Sequence, residues 1–425
     1  MVPGIVACVA DVEFVNPVPI EDAEGWVRQL MTSLLHNPHT DDFPRRVERW
    51  TARWVPERTW AIRDHGRIVG TLATDARTMT IPTRNGATAD IAVDALTGVT
   101  VAATHRRRGF LTKMLSESLQ AAKDRGDAMS VLLAAEWMIY GRFGYAPAMQ
   151  HSNYTYYPRR YAAAIPPAMT GAVRQVEPAE LLAHAPAIFE RHRHERGGQI
   201  NRTQSWWELT VGLDSAPIGG TRNWYLHEGP DGPDGLLTWK VSRDFELDGR
   251  LGAIEVDHLI AASDVAYRNL WSYLGGIDVI EEVTMWNRPT DEPARFMTGN
   301  GRALTQTYCG DSIWMCLLDV PAALSARGYA TEGRLVLDLA DDSIGGYARG
   351  RYVLDASADG VTCSATTDSP DLTLPAYVLA ACYFGAHTVR TFAAAGGIDE
   401  HTPGALQLLD TMLSTSLQPW CQTPF

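Results

Sequence analysis

Lysine, paired cysteine and net positive charge are all scarce in this chain of 425 residues. Acidic side chains number 50 against 37 basic ones, which gives a formal net charge of −13. A nucleic-acid partner needs a basic face that neutralises phosphates, so this balance argues against that class. Three of the basic residues are lysines, Lys113, Lys123 and Lys240. We attribute that bias to genome composition rather than to function.

Metal and membrane signals are missing as well. The six cysteines form no C-x-x-C pair and do not cluster with histidine at zinc-ligand spacing, so no metal site is predicted. Met1–Ala10 is apolar but short and lacks a basic segment, which argues against a signal peptide. The uncharged stretch Leu372–Val389 contains Pro375 and Gly385, which suits a buried helix better than a membrane span. These absences predict a cytoplasmic protein with no membrane partner.

What is present indicates a globular protein of several domains. Hydrophobic residues make up 45% of the chain, enough to bury more than one core. The pattern divides the chain into segments 1–157, 158–318 and 319–425. Strands alternate with helices in the first, which predicts a mixed α/β (α+β) fold. Its predicted elements are strands at Thr59–Ile62, Arg67–Thr74, Ala92–Ala102 and Ser130–Ala134 and a helix at Phe110–Arg125.

The second segment repeats part of the first. A strand at Leu251–Ile260 is followed by a helix at Asp264–Leu274, with Ser263 as its N-cap, and by a strand at Val279–Met285. The same order occurs around Val99 to Leu133, and we interpret it as a weak internal duplication. In the third segment, the apolar tail 419–425 is costly to leave in water, so we expect it to be tucked into the body.

The most informative stretch lies between Leu96 and Leu115. Alternating apolar residues predict a strand, a helix begins at Phe110, and Arg106-Arg107-Arg108-Gly109 lies between them. The free amides and dipole of a helix N-terminus bind anions, a glycine permits close approach, and arginines add donors. The position of the loop favours a phosphate site over a solvated basic loop. Neither a P-loop nor a dinucleotide fingerprint is present.

This strand and loop resemble the pyrophosphate loop of the GNAT superfamily of N-acetyltransferases, written R/Q-x-x-G-x-G/A. Leu111 departs from the small residue usual at the last position, and Ala135 replaces an expected hydroxyl. The resemblance implies acetyl-CoA as co-substrate, with the strand backbone pairing with its pantetheine arm. The implied contacts are Val99, Thr100, Val101, Arg106, Arg107, Arg108, Gly109, Phe110, Leu111, Thr112, Ala135 and Glu136.

A second cluster, Ala134 to Tyr145, resembles the Y-x-x-x-G-F/Y element of the same superfamily. Tyr140 is predicted on a short helix that Gly144 ends. Coenzyme A leaves the reaction as a thiolate, and a phenol of pKa ~10 stays protonated at neutral pH and can protonate it. We therefore predict Tyr140 as the general acid; the alternative is a packing tyrosine.

The string His105 to Gly109 together with Ile139 to Pro147 is similar to the enhanced intracellular survival (Eis) family, and the resemblance extends over most of the chain. It implies two GNAT-like domains, the second without a cofactor site, then a sterol-carrier-protein-like domain, and a homohexamer. The turn Ala261–Ser263, which lacks arginine and glycine, agrees with an empty second copy. The resemblance also implies that the Phe425 α-carboxylate is the general base. Its free pKa of ~3.3–3.7 suggests action through water or by orienting the amine.

The family acts on polyamines, including aminoglycosides, so a cationic small-molecule amine is the implied acceptor. Asp41, Asp42 and Glu48 could pair with ammonium groups and Trp50 could form a cation–π wall, although charges on a surface helix are often only solvated. Pro424 stands where some relatives carry an acidic residue. Two other functions stay open: acetylation of protein lysines, and a non-catalytic lipid- or CoA-binding protein.

Overall fold

Three β-sheets organise the chain. The computed structural model describes residues 12–160, 165–211, 222–246 and 250–425. The prediction made for Met1–Ala10 lies outside these residues. No helix of the described ranges is long and apolar enough to cross a membrane. The same ranges contain no group of three or more His, Cys, Asp or Glu side chains that could hold a metal ion.

The first sheet has the order β1-β2-β3-β4-β5-β14-β6. Its strands are β1 (Val12–Val15), β2 (Thr59–Asp64), β3 (Arg67–Pro82), β4 (Thr88–Val101), β5 (Met129–Leu133), β6 (Ala146–Pro147) and β14 (Ile313–Leu317). The helices of this region are α1 (Ala23–Ser33), α2 (Phe43–Thr51), α3 (Phe110–Asp124) and α4 (Trp137–Tyr140).

The second sheet has the order β13-β7-β12-β11-β10-β9-β8. Its strands are β7 (Gln150–Tyr156), β8 (Ala172–Gln175), β9 (Arg222–Gly229), β10 (Gly232–Arg243), β11 (Gly252–Ala261), β12 (Ile280–Arg288) and β13 (Leu304–Asp311). Its helices are α5 (Pro178–Arg193), α6 (Gln204–Val211) and α7 (Asp264–Gly276).

The third sheet has the order β17-β16-β15-β18-β19. Its strands are β15 (Gly333–Ala340), β16 (Gly350–Ser357), β17 (Gly360–Ala365), β18 (Leu372–Pro375) and β19 (Asp399–Glu400). The helices are α8 (Val320–Ala326), α9 (Ala376–Cys382), α10 (Val389–Ala395) and α11 (Ala405–Leu413).

Two strands cross between the first two sheets. β7 pairs with β12 and β13 in the second sheet, whereas β14 pairs with β5 and β6 in the first. Each crossing strand is buried in its host: Tyr156 packs in the second core and Met315 lies between the first and third sheets. The boundaries predicted at 157 and 318 divide the chain in sequence order, whereas each of these two sheets contains one strand from the other segment. The boundaries stay predictions.

Local structure follows from the residue pattern. The predicted apolar face of α3 is buried at Met114, Leu115 and Leu119, while Leu111 is only half-buried. Ser263 caps α7 as predicted, because its side chain accepts a hydrogen bond from the Ala266 amide. Strand β3 extends to Pro82, beyond the predicted end at Thr74, because residues 75–82 stay paired with β4.

Candidate active site

A wedge between β4 and β5 creates the site. The two strands pair in parallel at three positions only, from Asp94↔Ser130 to Leu96↔Leu132. Beyond Leu96, β4 continues to Val101 while β5 ends at Leu133. The backbone groups of β4 that face the wedge therefore have no strand to pair with, and an extended amide-bearing ligand can pair with them instead.

A bulge centred on Gly98 contributes to the divergence. Its φ is +62°, and a β-carbon there would lie 2.6 Å from the ring of Trp26, so the position requires glycine. The pairing of β4 with β3 shifts register at this point. The Thr71 hydroxyl donates to the Gly98 carbonyl at 2.7 Å and lies 2.6 Å from the Thr100 hydroxyl, which fixes the bulge.

The wedge opens into a cavity of about 610 Å³. Eleven of the twelve predicted cofactor contacts line it, and Arg108 is the exception. Residues on its lining that the sequence interpretation did not single out are Ser33, Leu34, His105, Ile139 and Arg142. The cavity thus joins the β4 strand, the arginine loop and the α4 segment, which are separate in the sequence.

The arginine loop leads directly into α3. Gly109 is the helix N-cap with φ +80°, and no side chain caps the helix there, so its first amides are free for an anion. His105 anchors the other end of the loop: one ring nitrogen lies 2.8 Å from an Asp64 carboxylate oxygen and the other 2.7 Å from the Thr104 hydroxyl. The hydrogen bond to His105, with a contribution from the Arg108 charge, lowers the pKa of Asp64. Arg108 itself is exposed and does not line the cavity.

Tyr140 lines the opposite wall. It ends the single turn of α4, and Gly144 follows with φ +89°, as the motif predicts. Its side chain is buried apart from the cavity, with 7% exposed. Burial first, and then the Glu136 charge, raise the pKa of Tyr140 to about 12. The phenol is therefore protonated at neutral pH and can act as a proton donor.

A buried charge network braces the foot of the wedge. Asp94, fully buried, accepts hydrogen bonds from Arg58 at 2.9 Å and Arg125 at 2.8 Å. The Ser130 hydroxyl donates to the Asp94 carbonyl at 3.0 Å and lies 2.7 Å from the Tyr145 hydroxyl. Desolvation outweighs the two arginines and raises the pKa of Asp94 to about 6. This network fixes β4 against β5 at the first of their three paired positions, two residues before the wedge opens.

The end of the sequence reaches the same strand. Trp420, Cys421 and Thr423 are almost fully buried, which confirms the expected docking of the tail. The Thr97 hydroxyl donates to a Phe425 main-chain oxygen at 3.1 Å. Thr97 precedes the cavity residue Val99 by two positions, so Phe425 lies beside the wedge. Thr97 carried no sequence signal, because the contact joins residues far apart in the chain.

The predicted acceptor residues lie outside the cavity lining. Asp41 is exposed, and Asp42 is paired with Arg46 at 3.0 Å. Trp50 packs against Trp26 in a tilted arrangement with ring centroids 4.7 Å apart, and the Arg53 guanidinium covers its ring at 3.9 Å. A cation thus already occupies the Trp50 face. The assignment of these three residues to the acceptor stays a prediction.

Family models match all three regions. An acetyltransferase (GNAT) domain matches residues 15–148, a second acetyltransferase (GNAT) domain matches 198–315, and a sterol carrier protein domain matches 320–422. This agrees with the predicted fold class of tandem GNAT domains followed by a sterol-carrier-like domain. By fold and site, the protein is an N-acetyltransferase of the GNAT type.

Individual relatives show which family of GNAT-type acetyltransferases the chain resembles. A Streptomyces avermitilis protein named an uncharacterized N-acetyltransferase is 35% identical over 424 residues, which cover 97% of this chain and 98% of that protein. N-acetyltransferase Eis of Mycobacterium tuberculosis is 33% identical over 76% of this chain and 78% of its own length. The crystal structure of Eis1 from Mycobacterium abscessus superposes with a TM-score of 0.81 at 27% identity, covering 98% of this chain and all of that one. The chain belongs to the Eis family of N-acetyltransferases.

Proposed function

We propose that the protein transfers the acetyl group of acetyl-CoA to an amine of a cationic, polyamine-type small molecule. The observation that carries the proposal is the convergence of the open β4 strand, the uncapped α3 N-terminus and Tyr140 on one cavity. Each of these features matches a different part of acetyl-CoA or a different step of the reaction.

The donor fits the cavity by chemical type. The pantetheine arm carries amides that match the unpaired backbone of Val99 to Val101. The pyrophosphate matches the free amides after Gly109 and the guanidinium groups of Arg106 and Arg107, which line the same cavity. Ala135 and Glu136 close the side opposite β4.

Tyr140 is proposed as the general acid. The acceptor amine attacks the thioester carbonyl, the carbon–sulfur bond breaks, and the phenol gives its proton to the departing thiolate. The raised pKa of Tyr140 keeps that proton in place until the thiolate forms.

The Phe425 carboxylate is proposed as the base that orients the amine and accepts its proton, directly or through water. Its support is the Thr97 hydrogen bond, which holds Phe425 beside the bulge. For the acceptor, family membership and the net charge of −13 favour a cationic amine, because a negative field concentrates cations. A homohexameric assembly is part of this proposal and rests on the family resemblance.

The test is thiol release from acetyl-CoA in the presence of a panel of polyamines and of a lysine peptide. We expect Tyr140→Phe to lower kcat about 10²-fold, the lower end for a general acid, and to leave the affinity for acetyl-CoA unchanged in calorimetry. Turnover with the lysine peptide but with no polyamine would support the protein-acetylation alternative.

Tyr145→Phe is the matched control. Tyr145 lies next to Tyr140, with ring centroids 6.1 Å apart, but its hydroxyl belongs to the Asp94–Ser130 network. This variant should lose stability and keep kcat. A Tyr140→Phe protein with more than half of the wild-type kcat would contradict the acid assignment, and failure to bind acetyl-CoA would contradict the whole proposal.

A further inference from the structure

The tail that carries Phe425 lies between the first and second sheets. Among the described residues, the one hydrogen bond between the tail and the first sheet joins Thr97 to Phe425. Cys421 also packs in the core that the first and third sheets share. Within the described chain, the hydrogen bonds of residues 420–424 to residues outside the tail otherwise go to the second region. The Trp420 amide donates to the Gly197 carbonyl at 3.2 Å. The remaining bonds reach Gln199 to Trp206 and Asn287. The contacts are Trp420 Nε1 to Asn287, Asn287 Nδ2 to the Cys421 carbonyl, the Gln422 amide to Gln199, Arg202 Nε to Thr423 Oγ1, Thr423 Oγ1 to the Ile200 carbonyl and Trp206 Nε1 to the Pro424 carbonyl.

The two contacts nearest Phe425 come from one rigid unit. Trp206 on α6 donates its indole N–H to the Pro424 carbonyl at 3.1 Å. Arg202 donates Nε–H to the Thr423 hydroxyl at 3.0 Å. The Arg202 guanidinium packs on the Trp206 ring at 4.1 Å and on the Phe189 ring at 4.0 Å, so the two donors are in direct contact.

Arg202 is an unusual residue to bury for packing alone. It is 7% exposed, and within the described part of the chain its two terminal nitrogens have no hydrogen-bond partner. Burial lowers the pKa of Arg202 to about 9. An unsatisfied buried guanidinium destabilises a fold unless other contacts compensate. Here they are cation–π contacts with Phe189, Trp206 and Trp207 and one hydrogen bond, to Thr423 of the tail.

We infer that the second GNAT domain positions the base of the first: Trp206 and Arg202 are positioning residues that fix Pro424 and Thr423 so that the Phe425 carboxylate stays at the bulge beside Thr97. This inference rests on the proposed role of that carboxylate. It assigns a role to the second GNAT domain, in which the N-terminus of α7 is capped by Ser263. A base has to be held within a fraction of an ångström to act, and the hydrogen bonds from Trp206 and Arg202 supply that restraint.

The test is a double-mutant cycle between Trp206→Phe and deletion of Phe425. Trp206→Phe removes the indole N–H and keeps a ring against Arg202. We expect kcat to fall about fivefold, the effect of one lost neutral hydrogen bond, with the affinity for acetyl-CoA unchanged. Deletion of Phe425 moves the terminal carboxylate back to Pro424 and away from the bulge. In that chain, whose residual rate is measured at higher enzyme concentration, Trp206→Phe should lower kcat no further, because its effect acts only through a carboxylate held at the bulge.

Trp271→Phe is the control for general damage to the second domain. Trp271 is fully buried, and within the described residues its indole N–H has no hydrogen-bond partner to lose. The smaller ring leaves a cavity, so this variant should lower the melting temperature and leave kcat alone. Thr423→Val, which removes the hydroxyl that Arg202 binds, should reproduce the loss in kcat and gives a second measurement if Trp206→Phe folds poorly.

Three outcomes would overturn the inference: an equal fall in kcat with and without Phe425, a weakened affinity for acetyl-CoA in Trp206→Phe, or unchanged kcat in both Trp206→Phe and Thr423→Val. If deletion of Phe425 itself leaves kcat unchanged, the base assignment and this inference both fail. The acetyl transfer assigned to Tyr140 and the donor cavity stands in that case, since thiol release reports it separately.

Discussion

The first and second domains contain the same wedge, and only one of them leaves it open. In the second, β11 and β12 pair in parallel up to Val256↔Met285, and β11 then continues to Ala261, five residues further. In the first, β4 likewise continues five residues beyond Leu96, to Val101. The strand geometry that we propose for the cofactor site is therefore present in both copies.

Side chains of the protein itself fill the second wedge. Leu259 and Val99 each lie three residues beyond the last parallel pair, so the two positions correspond. The Leu259 carbonyl accepts a hydrogen bond from Arg288 at 3.0 Å, and Arg288 also binds the Glu292 carboxylate at 2.8 Å. The Ala261 carbonyl, the counterpart of Val101, lies 2.9 Å from a His192 ring nitrogen. Backbone groups that are free in the first copy are satisfied in the second.

The loops before the helices differ in the same sense. Residues 102–109 connect β4 to α3 in eight positions, whereas residues 262–263 connect β11 to α7 in two. Gly109 has no side chain to cap α3, but the Ser263 hydroxyl accepts from the Ala266 amide at 3.1 Å and donates to Asp234 at 2.6 Å. An anion binds to helix amides that have no hydrogen-bond partner. In the second copy, the Ser263 side chain already occupies such an amide.

Emptying the second wedge should therefore cost stability without creating a site. Arg288→Met leaves the Glu292 carboxyl buried and unpaired, and we expect urea unfolding to show a loss of about 3–5 kcal/mol. Burial raises the pKa of Glu292, so the unpaired carboxyl takes up a proton. Calorimetry should still give one acetyl-CoA per chain, because the short capped turn is unchanged.

The double variant Arg288→Met, Glu292→Gln is the control for that experiment. It replaces the buried carboxyl, which has to be protonated once Arg288 is lost, by a neutral amide, so it should be more stable than Arg288→Met alone. A second equivalent of bound acetyl-CoA in either protein would show that the side chains of Arg288 and Glu292, and not the short loop, prevent binding in the second copy.

The first wedge can be damaged at its bulge. Gly98→Ala places a β-carbon 2.6 Å from Trp26 at φ +62°, a conformation that costs ~1–2 kcal/mol for a non-glycine residue. The bulge must shift, and the Val99–Val101 backbone shifts with it. We expect affinity for acetyl-CoA to fall about tenfold in calorimetry, because that strain corresponds to about one order of magnitude in an equilibrium constant.

Gly276→Ala in the second domain is the matched substitution, since a β-carbon there meets no atom within 4 Å. It should bind acetyl-CoA as the wild type does. Unchanged affinity in Gly98→Ala would mean that the divergence of β4 from β5 does not depend on the bulge.

Local features of this site were readable from the sequence, and long-range ones were not. The spacing from Arg106 to Gly109 predicted the loop, and the position of Tyr140 in its motif predicted a residue that the structure brings to the same cavity. Gly98 had a readable signal that the interpretation did not use, because a glycine inside a strand marks a bulge. Arg288 lies 29 positions from Leu259, whose carbonyl it binds, and Trp206 lies 218 positions from Pro424. No spacing rule reaches that far.

The smallest effect we predict concerns the pH range of the open site. A general acid works only while it carries its proton, and burial raises the pKa of Tyr140 to about 12. An ordinary phenol of pKa ~10 would be half ionised at pH ~10 and would lose half of its contribution there. We expect the ratio of kcat between wild type and Tyr140→Phe to stay constant from pH ~7 to ~10. Ionisation of the acceptor amine cancels in that ratio, so a twofold fall by pH ~10 would show that the cavity leaves Tyr140 as accessible to water as a surface tyrosine.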